Sequence, residues 1–215
     1  MTKVSLALFL IVLAPAPATA APQTRDLGLG LVYSRARSIP GDLPPAASVC
    51  GHPCVLDLRY ASGDRAAGAA LDAWLRIQCS LRTPVFLLAN AGTSPALLAG
   101  LGPSGRAPGL VTLGAAGAGF QPDIPLRVSP AAERRAYEAL DKGAPIESLL
   151  GENPDKPRND EARLAREHIS DSAPDDDDAD TAALTSAPEP PPPLVDAALQ
   201  RAVHLHRALL ALRRL

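Results

Sequence analysis

Residues 55–64, VLDLRYASGD, decide how this chain folds. Val55, Leu56 and Leu58 give residues 55–59 the character of a short strand, and Tyr60-Ala61-Ser62-Gly63-Asp64 is a tight turn after it. A strand ending in a turn before a helix can aim main-chain amides at a ligand, although a turn is also needed there structurally. Next, residues 66–80 place Ala67, Leu71, Trp74, Leu75 and Cys79 on one helical face, which is expected to be buried. Beyond Arg82-Thr83-Pro84, residues 85–90 (VFLLAN) form the continuous apolar run of a strand covered on both faces, and a second helix follows over 95–101. Residues 110–113 and 124–128 supply further strands. Ser129-Pro130 then opens a helix that closes at Lys142-Gly143, with serine as the cap and proline at the first helical position. On the N-terminal side, residues 29–35 (LGLVYSR) read as a strand. The β-α-β-α-β order predicts an α/β fold of parallel strands with right-handed crossovers.

The two ends of the chain carry different signals. Lys3, the apolar run of residues 6–13 (LALFLIVL) and Ala18-Thr19-Ala20 form a basic start, a short apolar region and a small-residue cleavage site. That run is far short of the roughly 20 residues that span a bilayer. Residues 1–20 therefore read as a bacterial signal peptide cleaved after Ala20, which predicts a periplasmic or secreted protein with no integral membrane segment after processing. Residues 21–169 hold the α/β domain. From residue 170 the composition shifts to the acidic run 175–178 and to a stretch over 188–193 that is nearly all proline. Such a stretch buries too little apolar surface to order itself, so residues 170–193 are predicted to be a disordered linker. Residues 194–215 return to helical spacing with Val195, Ala198, Ala202, Leu205, Leu209 and Leu212. This amphipathic helix suits docking on a protein partner or packing back on its own domain.

The whole chain carries 21 basic and 23 acidic side chains, and removal of Lys3 with the signal peptide leaves 20 against 23, a formal charge of −3. That balance gives no reason to expect nucleic acid as a partner. Cys50, Cys54 and Cys79 allow one disulfide with three pairings open, of which the local Cys50–Cys54 ring is the leading candidate despite its strain. His52 and two of these cysteines lack a fourth ligand at zinc-site spacing, so neither metal nor cofactor is expected. His52, His168, His204 and His206 read as solvated or capping side chains.

Four segments, in order and spacing, resemble the C-terminal processing (tail-specific) serine proteases. VLDLRYASGD is similar to that family's DLR-x-N-x-GG segment, and residues 31–35 (LVYSR) to its GYIRI strand. Residues 84–99 (PVFLLANAGTSPALLA) resemble its nucleophile strand and helix, and residues 111–121 (VTLGAAGAGFQ) its G-x-x-T-x-GKG-x-x-Q loop. The resemblance covers about residues 27–130 and implies a ClpP/crotonase-like core without the family's usual PDZ domain. It implies a nucleophile five residues after Asn90, where this chain has Pro95. Ser94 stands one place early, Leu98 occupies the slot of the family's glutamate, and the general-base lysine falls on Ala118. Both members of the dyad are thus expected to be lost. Gly63 and Ala96 map to the oxyanion and ligand turn, while Asp64 replaces that turn's second glycine. Ser94 followed by proline is the pattern of a helix cap, and a serine hydroxyl is a weak nucleophile unless a base takes its proton.

Three functions follow as expectations. The leading one is an exported, non-catalytic tail-specific-protease-like domain that binds a peptide, a protein or an apolar ligand. The others are a divergent serine peptidase using Ser94, and a structural subunit of an envelope assembly that docks through residues 194–215.

Overall fold

A computed structural model of the chain describes residues 23–45, 51–101, 106–117, 119–151 and 193–215. The expected signal peptide, all but the last residue of the expected linker, Cys50, His168 and Ala118 lie outside the described residues.

Six strands, β1 (Gln23–Asp26), β2 (Val32–Arg35), β3 (Cys54–Asp57), β4 (Val85–Leu88), β5 (Leu110–Gly114) and β6 (Ile124–Pro125), form one sheet in chain order. β1 runs antiparallel to β2, and every later neighbour pair is parallel. The expected α/β class with parallel βαβ units is therefore present. β1 is an addition, since its polar sequence QTRD carries no apolar run to announce a strand. The strand expected from residue 29 starts at Val32 instead, because Gly28, Leu29 and Gly30 all take left-handed φ in the turn between β1 and β2. β6 is only two residues long, and its Pro125 has no N–H to continue a ladder.

Alternation along each strand separates two cores. Cys54, Leu56, Val85 and Leu87 face α1 (Arg65–Gln78) and α2 (Pro95–Ala99), where Leu71, Trp74, Leu75 and Leu97 complete the layer. α1 buries the predicted face, and Asp64 caps it, its side chain accepting from the Ala67 N–H at 2.8 Å. Val55, Phe86, Leu88 and Leu113 point the other way, toward α3 (Pro130–Asp141), α4 (Ile146–Leu149) and α5 (Ala197–Ala211). Ser129 caps α3 as expected, accepting from Ala132 N–H.

The C-terminal helix returns to its own sheet. Ala198, Leu199, Ala202 and Val203 of α5 join Tyr33, Val55, Phe86 and Leu88 in one cluster, and Leu199 is wholly buried. Its buried stripe is rotated from the expected one: Leu209 and Leu205 are only partly buried and Leu212 is 69% exposed. The corrected stripe includes His206, which is buried rather than solvated, with Nε2 at 3.1 Å from the Leu29 carbonyl and its ring edge-on to Phe86. Burying a side chain such as Leu199 or Phe86 is worth about 2 kcal/mol each, so this face supplies much of the affinity that holds α5 down.

Candidate functional site

The carboxyl ends of β3 and β4 hold the residues that the sequence marks as chemical. Asn90 ends the β4 run and its main-chain N–H donates to Thr93 Oγ1 at 3.1 Å, while that hydroxyl donates to the Leu58 carbonyl at 2.9 Å. The Ser94 N–H bonds to the Ala61 carbonyl at 2.9 Å. These bonds fasten the 90–94 loop across the turn that follows β3. The Ser94 hydroxyl donates to the Gly63 carbonyl at 2.6 Å. Ser94 occupies the cap position of α2 with Pro95 as the first helical residue, but its side chain makes no cap bond, which corrects the capping role expected of it. The nearby Gly63 carbonyl competes for the hydroxyl and wins. A carbonyl accepts a hydrogen bond but does not take the proton away, so this contact does not activate Ser94 as a nucleophile.

The turn beside Ser94 is packed with apolar groups. A Cβ on Gly63 would stand 2.8 Å from Leu97 Cδ2 and 2.9 Å from Ala67 Cβ, so the glycine is required by the wholly buried Leu97. The Ala96 carbonyl would lie 2.6 Å from a Cβ on Gly68, which makes Ala96 a contact point between α2 and α1. Asp64 is spent on the α1 cap. Ser94, Gly63, Pro95 and Ala96 therefore lie at a closed apolar helix junction rather than at an open turn.

A second, polar corner was not singled out from sequence. Asn90 Nδ2 donates to Glu133 Oε2 at 3.1 Å, and Asn90 Oδ1 accepts from the Gly92 N–H at 2.9 Å. Tyr60, half-buried, holds a left-handed φ of 61°, with its ring edge-on to Tyr137 and Arg134 over its face. Strained non-glycine backbone of this kind persists only where its surroundings fix it, and it clusters at ligand sites. Burial raises the Glu133 carboxyl above its ordinary range, and the charges of Asp196 and Asp57 add to this against the pull of Asn90 and Arg59. The only sequence signals were the asparagine at the strand end and an acidic residue in the first turn of α3.

Beneath that corner lies a buried ionic network. Arg59, wholly buried, donates to Asp57 through Nε at 3.0 Å and Nη2 at 2.7 Å, and to Asp196 through Nη1 at 2.9 Å and Nη2 at 2.7 Å. The Tyr33 hydroxyl donates to Asp57 at 2.8 Å, and Arg35 bridges the Tyr33 hydroxyl and Asp141. Burial works to raise the Asp57 carboxyl, but Arg59 and Arg35 outweigh it and hold the carboxyl below its ordinary value. Asp196 also caps α5 by accepting from the Leu199 N–H. This network orients α5. It adds little net stability, because desolvation of buried ions cancels most of their attraction, whereas loss of one partner is costly.

Among the described residues no group of three His, Cys, Asp or Glu side chains is placed to hold a metal ion, and no helix is long and apolar enough to cross a membrane. Cys54 and Cys79 are free and buried, and Cys50 lies outside the described residues. Against protein-family models, curated proteins and solved structures, the chain has no match.

Proposed function

We propose that the chain is an exported, non-catalytic domain of tail-specific-protease-like, ClpP/crotonase-like design that binds a peptide, a protein or an apolar ligand without hydrolysing it. One observation carries this reading: the Ser94 hydroxyl is committed to the Gly63 carbonyl in a junction walled by Leu97, and Pro95 fills the nucleophile position. The divergent-peptidase alternative needs a base at Ser94, and a carbonyl is not one. The envelope-subunit alternative loses its motive, since the apolar stripe of α5 is already buried on its own sheet.

Binding is assigned to the polar corner of Tyr60, Asn90 and Glu133, because open parallel sheets place ligands outside the carboxyl ends of their strands. Tyr60 offers an aromatic face and a hydroxyl, Glu133 a carboxyl group, and Arg134 a cation at the rim. The signal-peptide pattern of residues 1–20 supports an address in the periplasm or outside the cell.

The test incubates the mature chain with unfolded polypeptides and short peptides with apolar tails, following both binding and the mass of the peptide. Binding with the peptide intact, weakened by Tyr60→Ala, is expected. Cleavage that disappears in Ser94→Ala would overturn the reading in favour of a serine peptidase.

A further inference from the structure

The amino ends of the parallel strands lie at the end of the molecule away from the Tyr60 corner. Val32, Cys54, Val85 and Leu110 stand level there across β2, β3, β4 and β5 by register. α1 begins beyond the carboxyl end of β3 and leads back to the start of β4, so its last turn lies at this end. α5 runs the same way on the opposite face. Asp196, at its start, meets Arg59 past the end of β3, and His206 meets the Leu29 carbonyl just before β2.

Four large apolar side chains stand in water at this end. Leu29, Ile77, Leu81 and Leu212 are 67–77% exposed, and they come from the turn before β2, the last turn of α1, the turn before β4 and the end of α5. Leucines exposed singly need no explanation, but a set gathered at one end marks an interaction surface. Basic charge accompanies them. Residues 197–215 hold four arginines and no acidic side chain, although the whole chain stands at −2. Arg207, Arg213 and Arg214 are exposed in the last turns of α5 and just past it, and Arg82 is exposed beside Leu81. The nearby acids are already engaged: Asp26 accepts the Gly28 N–H, and Asp72 pairs with Arg76.

Backbone strain falls at the same end. Leu29 and Arg213 hold left-handed φ of 55° and 52°, and among the described residues the only other non-glycine of this kind is Tyr60. Glycine would serve both turns without strain. It already flanks Leu29 on both sides, and it is the usual residue at the position of Arg213, where the Arg213 and Arg214 N–H groups close α5 on the Leu210 and Leu209 carbonyls. Both turns thus present a leucine and an arginine outward at a conformational cost.

We propose that this end is a landing face for the surface of an anionic phospholipid bilayer. Arginines meet lipid phosphates, and leucines insert among the headgroups. Leucines carried on separate tips suit a deformable surface, whereas a folded partner would need a matching pocket for each. Docked in this way the protein lies on the bilayer rather than in it, with the Tyr60 corner turned away. The proposal does not depend on what that corner binds.

The test sediments the folded full chain with vesicles of phosphatidylcholine, alone or with about one third phosphatidylglycerol. The chain should sediment with the anionic vesicles and not with the neutral ones. Raising salt from about 0.1 M to about 1 M should release it, as the screening length falls from about 10 Å to about 3 Å. Arg213→Gln with Arg214→Gln should weaken binding about 25-fold, roughly fivefold for each charge. Leu81→Ser with Leu212→Ser should weaken it about tenfold with the salt dependence unchanged. Both double variants should melt as the parent does, and Tyr60→Ala should bind vesicles as the parent does. No sedimentation with anionic vesicles, equal sedimentation with neutral ones, undiminished binding by either double variant, or a dimer of the full chain that Leu81→Ser with Leu212→Ser dissolves would overturn the proposal.

Discussion

The two faces of the sheet are built on different principles. The α1–α2 face is packed by apolar side chains, and it closes over Ser94 and Gly63 at the strand ends. The α3–α5 face is apolar in its middle but carries Asp57, Arg59, Arg35 and Asp196 toward those same strand ends, with Tyr60, Asn90 and Glu133 beside them. The face that resembles an enzyme by sequence is closed. The face assembled from remote segments holds the polar chemistry.

Removing α5 separates these faces most sharply. A chain ending at Gly151 loses the cover of Phe86 and Leu88 as well as the Asp196 partner of Arg59, and is expected to lose cooperative thermal unfolding followed by circular dichroism. Arg59→Met comes next. It leaves Asp57 and Asp196 buried with their main cation gone, at a cost of about 3–5 kcal/mol in urea denaturation. Leu97→Ala opens a cavity in the opposite, apolar face and should cost about 3 kcal/mol.

Acid titration separates two carboxyls within the polar face. Asp57 ionises more readily in the folded chain than in the unfolded one, so its contribution is complete above about pH 4 and is lost as pH falls through its depressed folded value. Glu133 has the opposite sign: its folded value is raised, so its contribution is full below about pH 4 and fades as pH rises through that value. Stability measured against pH should therefore fall at the acid end in the native chain, and Glu133→Gln should leave that acid loss in place while improving stability at neutral pH. The smallest effect is expected of Ser94→Ala, about 1 kcal/mol or less, since one hydrogen bond to a carbonyl is removed.

The same contrast explains what the sequence made legible. Apolar runs and helical spacing are local, so β3, β4, β5, α1 and α3 could be placed within a few residues, whereas the hydrogen bond of Ser94 to the Gly63 carbonyl could not. The α3–α5 face depends on contacts across more than a hundred residues, such as Arg59 with Asp196, and no local periodicity encodes them. Asp196 did carry a local sign, an acidic residue just before an apolar-periodic helix, which marks a cap but not its second role with Arg59. The stripe of α5 was misplaced because His206 was read as polar, whereas it is buried against Phe86 and the Leu29 carbonyl. β1 escaped because an edge strand of QTRD is held by its register with β2 rather than by buried side chains of its own.

The central claim is that the junction of Ser94 with Gly63 is chemically closed, and its most direct measurement is labelling of the folded chain by a fluorophosphonate probe, with Ser94→Ala as the control. The account predicts no labelling of Ser94 in the folded protein. Stoichiometric labelling at Ser94 that vanishes in Ser94→Ala would contradict it.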